Sequence, residues 1–215
     1  MTELSCHRAG PARGGAPDSL VLLLHGYGAD GGDLIGLAEP WGAALPGALF
    51  LAPDAPEPCE AAPWGRQWFS LEDRDPARLA EGVASAVPRL RRLLARERAA
   101  HGLGAERTAL MGFSQGAMLA LAAGLSAEPP PAAILGYSGA LLAGLGTARP
   151  PVLLVHGEAD LVVPAAATRA AASALAAAGV PVETLLRPGL GHSIDEAGIA
   201  AGAAFLARHL GGRRA

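Results

Sequence analysis

Ser114 sits in Gly112-Phe113-Ser114-Gln115-Gly116, where an apolar, strand-like run stops and a helix-like run begins at once. G-x-S-x-G in that setting describes a sharp turn that strains the serine and points its hydroxyl outward. The glycines at 112 and 116 let strand and helix approach closely, and the helix start directs unpaired N–H groups toward any negative charge forming there. The competing reading is an ordinary Gly-flanked turn. A serine hydroxyl is barely nucleophilic at neutral pH, so it needs a base. Of six histidines, His7 and His209 lie near the chain ends and His101 follows a charged stretch, all three suited to solvent. His25 and His156 each precede a glycine at the end of an apolar run, a place where buried histidines brace loops. His192 lies between Gly191 and Ser193, free to turn toward the same edge, and is the candidate base. Asp160 is the preferred third member, orienting the imidazole, with Glu158 and Asp195 as rivals. Asp195 also suits a helix start, and Glu158 a turn.

Those residues need a scaffold that gathers them. Strands are expected at 20–24, 48–51, 108–111, 132–135, 152–155 and 182–186, as nearly continuous apolar runs covered on both faces. Helices are expected at 33–44, 76–100, 115–127, 164–178 and 194–210, with a kink or a break into two helices at Pro88. Alternating β and α at this rhythm predicts an α/β fold, one mostly parallel sheet with helices on both faces, in a single domain over 1–215. In such sheets ligands bind outside the carboxyl ends of the strands. Ser114, Asp160 and His192 follow successive strand ends in the chain order of α/β-hydrolases. Oxyanion donors are then expected from the backbone N–H groups of Gln115, next after the nucleophile, and Tyr27, in the Gly-rich loop after the first core strand.

Composition narrows the alternatives. In 215 residues, hydrophobic types make up 51% and charged types 17%, which is globular rather than disordered. The net charge of −3 and pI near 6.1 offer no basic surface for nucleic acid. The glycines after His25 miss the dinucleotide-binding spacing, and a chain without lysine has no phosphate-gripping G-K-[ST]. Cys6 and Cys59 make no disulfide framework and lie in no metal-binding pattern, so no metal or cofactor is expected. No signal core and no run of membrane-spanning length is seen, which leaves the cytoplasm as the default location. Trp64, Trp68 and Phe69 crowd into one long loop of an otherwise aromatic-poor chain. They suit either an acyl-binding wall or a small core beneath the loop.

Together these motifs resemble the bacterial carboxylesterase and acyl-protein thioesterase (phospholipase/carboxylesterase) family of α/β-hydrolases, from about Ser5 to Leu210. The resemblance is carried by Leu22-Leu23-Leu24-His25-Gly26-Tyr27-Gly28-Ala29-Asp30, Gln67-Trp68-Phe69, Gly112-Phe113-Ser114-Gln115-Gly116, His156-Gly157-Glu158-Ala159-Asp160 with Leu161-Val162-Val163-Pro164, and Gly191-His192-Ser193-Ile194. It implies Ser114, Asp160 and His192 as nucleophile, acid and base, with oxyanion amides at Tyr27 and Gln115. It also implies a compact core without a large cap, and a possible homodimer. The implied substrates are small carboxylic esters or thioesters with short to medium acyl chains, or lysophospholipids. Tyr27 stands where the family commonly has Leu, and Leu161 where Pro often follows the acid. The reading from another class is a non-catalytic hydrolase fold that binds a ligand or partner.

Overall fold

In the computed structural model, which describes residues 4–211, every residue of β2 (Ser19–Leu24) is buried. Leu20, Leu22 and Leu24 face one apolar layer while Val21 and Leu23 face the other, the period of two that a doubly covered strand imposes. At about 1.5–3 kcal/mol for each fully buried aliphatic side chain, such strands supply much of the drive for folding. Around β2 the chain runs β1 (Cys6–Ala9), β2, α1 (Gly32–Ile35), α2 (Ala38–Ala44), β3 (Ala48–Pro53), β4 (Glu57–Pro58), β5 (Arg66–Gln67) and α3 (Pro76–His101). A 3-10 turn (Ala105–Arg107) leads into β6 (Thr108–Phe113), α4 (Gln115–Leu125), β7 (Ala133–Tyr137), β8 (Val152–Gly157), α5 (Ala166–Ala177), β9 (Val182–Arg187) and α6 (Glu196–Leu210).

The seven-stranded sheet has the order β1-β3-β2-β6-β7-β8-β9 and is parallel except for β1 against β3. This is the expected α/β-hydrolase fold, without a cap. Side chains of α3, α4 and α5 join one core, including Val83, Leu90, Leu119 and Leu175. Trp41 of α2 with Phe205, Leu206 and Leu210 of α6 closes the other. The chain leaves β2 toward β3 on one side and returns to pair β6 on the other, so the loops after β2 and β6 part at the switch point, where open α/β sheets bind ligands.

Three local expectations are corrected. The helix expected over 33–44 is two short helices, α1 and α2. Pro88 does not divide α3, which runs unbroken for 26 residues. Pro88 lies on the exposed side, where the carbonyl left without a partner can meet water, while Val83, Val87, Leu90 and Leu94 anchor the other face. Asp75 caps the helix start, accepting the N–H groups of Ala77 and Arg78, and Gly102 closes the end at φ 63°. The third correction is β1, an antiparallel edge strand absent from the expected set. Cys6 and Cys59 are free thiols. Among the described residues no helix is long and apolar enough to cross a membrane.

Candidate active site

Ser114 is the turn between β6 and α4, with φ 53° and ψ −117°, a left-handed conformation that costs a non-glycine residue about 1–3 kcal/mol. The turn is held by Ser114 N–H to the Tyr137 carbonyl at 2.8 Å, and by Ala117 N–H back to the Ser114 carbonyl at 3.0 Å. The flanking glycines are demanded by space. A Cβ on Gly112 would lie 2.1 Å from the Gly116 carbonyl oxygen, and one on Gly116 would lie 2.0 Å from that of Leu24.

His192 enters from the loop after β9, its ring centroid 4.8 Å from that of Phe113, the neighbour of Ser114. Its Nδ1 lies 2.7 Å from Asp160 Oδ2. A carboxylate only accepts, so Nδ1 carries the hydrogen and Nε2 is left with a lone pair, the tautomer a general base requires. Asp160 follows β8. Its Oδ1 accepts the N–H groups of Val162 at 2.8 Å and Val163 at 2.9 Å. Burial pushes the Asp160 carboxyl up, but the bonds from His192, Val163 and Val162 outweigh it and hold the group below its ordinary value. The rivals are engaged elsewhere: Asp195 caps α6 through Gly198 N–H and pairs with Arg187, and Glu158 pairs with Arg169.

His156 adds a layer behind Asp160. Its Nε2 must donate to the Val163 carbonyl at 2.8 Å, so Nδ1 accepts from the Thr168 hydroxyl at 2.6 Å. The Nε2 is also 3.2 Å from Asp160 Oδ2. It ties β8, the Asp160 turn and α5 together, as the loop-bracing role anticipates. His25 does the same after β2, with Nδ1 at 2.7 Å from the Gly26 carbonyl and Nε2 accepting Ala55 N–H at 3.0 Å. Burial pushes the His25 pKa down, in keeping with this neutral tautomer.

Ser114, Gln115, His192 and Tyr27 line one cavity of about 570 Å³, with Leu71, Leu79, Met118, Val162, Val163 and Pro164 as apolar wall. Glu60, Glu72 and Arg74 bring charge to it. Among the described residues, neither the Tyr27 nor the Gln115 backbone N–H is taken up by a hydrogen bond. The Ser114 hydroxyl and His192 ring share the cavity without a direct bond, and such bonds commonly close only around bound substrate.

The family model described as Phospholipase/Carboxylesterase matches residues 12–210. The chain belongs to the phospholipase/carboxylesterase family. It is 36% identical over 184 residues to esterase YpfH of Escherichia coli (strain K12), covering 82% of this chain and 76% of that one. It is 31% identical over 164 residues to acyl-protein thioesterase 1 of Yarrowia lipolytica (strain CLIB 122 / E 150), covering 69% and 72%. The crystal structure of esterase PE8 superposes with a TM-score of 0.91 at 40% identity, over 97% of this chain and 100% of that one. The protein is thus a carboxylesterase-family hydrolase.

In this carboxylesterase-family chain the aromatic loop is arranged differently from an acyl wall. Trp68 and Phe69 are 4% and 5% exposed and join the core beside α3 and α4. Trp64 is 96% exposed. None of the three is among the residues lining the cavity. The alternative of a packed core beneath the loop therefore describes Trp68 and Phe69, because the loop lies over a strongly apolar sheet face. The serine decoys separate as well. Ser138 shares the left-handed backbone, at φ 49°, but its hydroxyl is buried and without a partner, and Ser193 follows His192 outside any strand-to-helix turn. Away from Ser114, Asp160 and His192, the side chains of His7, Asp30 and Asp54 bring ligand-type atoms within 4.8 Å of one another. There Asp54 and Asp30 accept the N–H groups of Gly31 and Gly32.

Proposed function

We propose that the protein hydrolyses small carboxylic esters with short to medium acyl chains through a Ser114-His192-Asp160 triad and an acyl-enzyme intermediate. The observation that carries this reading is the 2.7 Å bond from His192 to Asp160, with Ser114 at a strained helix-start turn on the same cavity. His192 Nε2 takes the Ser114 proton as Oγ attacks the carbonyl carbon. The oxyanion takes hydrogen bonds from the free N–H groups of Tyr27 and Gln115. The C–O bond to the alcohol then breaks, and His192 returns the proton to the leaving oxygen. Water repeats the cycle on the acyl-enzyme, giving its proton to His192, which passes it to Ser114 as the acid departs. The wall of Leu71, Leu79, Met118, Val162 and Val163 supports an aliphatic acyl group.

Thioesters are the second reading. The likeness to proteins named acyl-protein thioesterase favours it, and the same residues serve either leaving group. Rates on p-nitrophenyl esters of graded length, beside matched thioesters and a lysophospholipid, would rank the substrates. A fluorophosphonate should label the peptide containing Ser114 and leave Ser114→Ala unlabelled. A label on Ser138 or Ser193, or near wild-type hydrolysis by Ser114→Ala, would remove the reading. A folded wild type that neither labels nor hydrolyses would favour the non-catalytic alternative.

A further inference from the structure

The segment Arg66–Phe69 touches both stretches of backbone that carry the oxyanion donors. On the Tyr27 side, the Trp68 indole N–H donates to the His25 carbonyl at 2.9 Å. Three residues after His25, Gly28 N–H donates to the Arg66 carbonyl at 2.9 Å, and Arg66 N–H to the Ala29 carbonyl at 2.8 Å. Tyr27 is thus suspended between two anchors on one short segment, Arg66 and Trp68. The approach is close enough that a Cβ on Gly65 would lie 2.0 Å from the Gly28 carbonyl oxygen. On the Gln115 side, Trp68 N–H donates to Gln115 Oε1 at 2.8 Å, and Gln115 Nε2 donates to the Phe69 carbonyl at 2.7 Å. Both side-chain amide atoms of Gln115 are engaged in this clasp, while its backbone N–H is not.

An oxyanion hole works because its donors are held in place before charge develops, and a displacement near 1 Å can cost about 10²-fold in rate. Two donors on different loops need a common reference to keep their separation. We infer that Trp68 is a positioning residue for the oxyanion hole, setting the Tyr27 loop through its indole and the Gln115 residue through its backbone. This rests on the proposed donor roles of Tyr27 and Gln115. It replaces the acyl-wall reading of Trp68 with a role in the transition state that does not depend on chain length.

Trp68→Phe keeps an aromatic ring beside His25, whose centroid lies 5.2 Å away, and removes the indole donor with part of the buried ring volume, a packing loss that melting temperature reads separately. Its kcat on p-nitrophenyl butyrate should fall about tenfold, short of the 10²–10³ that loss of a whole oxyanion donor costs. KM should stay within about twofold, and the fractional loss should be the same on acetate and octanoate esters. Inhibition by an alkyl trifluoromethyl ketone, whose adduct with serine carries an oxyanion, should weaken by the same factor as kcat/KM. Gln115→Met, similar in length and lacking both side-chain bonds, should behave alike, and it decides the question if Trp68→Phe does not fold. A lowered melting temperature with unchanged kcat and ketone affinity would overturn the inference, as would a loss that grows with acyl length. Absence of fluorophosphonate labelling at Ser114 in the wild type would instead strike the triad reading beneath it.

Discussion

Replacing Asp160 with Asn tests the proposed triad at its most constrained atom. Asp160 Oδ1 accepts two backbone N–H groups, and Oδ2 faces His192 Nδ1 at 2.7 Å. An Asn side chain in this loop has two orientations. With its oxygen toward Val162 and Val163, its NH₂ faces His192. With the amide reversed, that NH₂ faces two backbone donors and leaves both unpaired in a buried turn, at about 1–3 kcal/mol each. The first orientation carries one weaker conflict, with His156 Nε2–H at 3.2 Å, and is therefore preferred. There the NH₂ can only donate, so His192 Nδ1 must accept and its hydrogen moves to Nε2. That nitrogen can no longer take the Ser114 proton. A tautomer trapped in this way costs about 10⁴ in kcat, or roughly 5 kcal/mol of transition-state stabilisation. The assay is the acylation burst with p-nitrophenyl acetate, beside thermal unfolding to show that the variant is folded. Fluorophosphonate labelling of Ser114 should slow in parallel. A folded Asp160→Asn variant within about tenfold of wild type would refute the reasoning, as would an equal loss in Glu158→Gln.

Three other outcomes follow from the same geometry. Only neutral imidazole accepts a proton, and Asp160 is held below its ordinary value, so kcat/KM should climb with pH through one ionisation and then level off; a flat profile would count against a histidine base. Ser114→Gly should abolish hydrolysis yet stabilise the fold by about 1 kcal/mol, or roughly 2–4 °C in melting temperature, because glycine accepts φ 53° without strain. A lower melting temperature would contradict the strained-turn account. The third concerns Glu97, which is buried and bonded at 2.8 Å by both terminal guanidinium nitrogens of Arg8, Nη1 and Nη2. That pairing leads Arg96 in holding its carboxyl at about 2, against the opposing effect of burial. A depressed carboxyl stabilises fully above its unfolded value and loses that contribution as pH falls toward 2. Glu97→Gln should therefore cost about 2 kcal/mol at pH ~7, discounted because Arg8 is half exposed, and the gap should roughly halve by pH ~3 in urea titrations. A gap constant over that range would rule out the ion pair as its source.

Much of the fold was legible because its central strands, β2, β3 and β6 to β8, are covered on both faces. Leu20–Leu24 or Val152–Val155 cannot be exposed, and no partner is needed to recognise them. Cys6-His7-Arg8-Ala9 escaped notice because an edge strand has one neighbour, and it carries no β-branched or large apolar residue; β3 alone makes it a strand. Pro88 misled because an intrinsic preference of about 3 kcal/mol is set by the residue itself, whereas the packing of Val83, Val87, Leu90 and Leu94 that holds α3 together is set by the sheet.

At the site, residue types, the glycines beside Ser114 and the order of strand ends already single out the proposed nucleophile and base and narrow the acid to three candidates. Those are local or topological properties, carried along the chain. Which acid takes His192 was open until Asp195 and Glu158 were seen in other pairings, since the three candidate carboxylates differ only in where their loops turn. The bracing of Asp160 by His156 and Thr168, and the clasp of Trp68 on His25 and Gln115, depend on contacts between segments 12 to 47 positions apart. Composition shows that the loop is aromatic. Only packing decides whether an indole faces substrate or turns inward to hold a carbonyl, because both outcomes bury the same apolar surface and differ in where one N–H finds its acceptor.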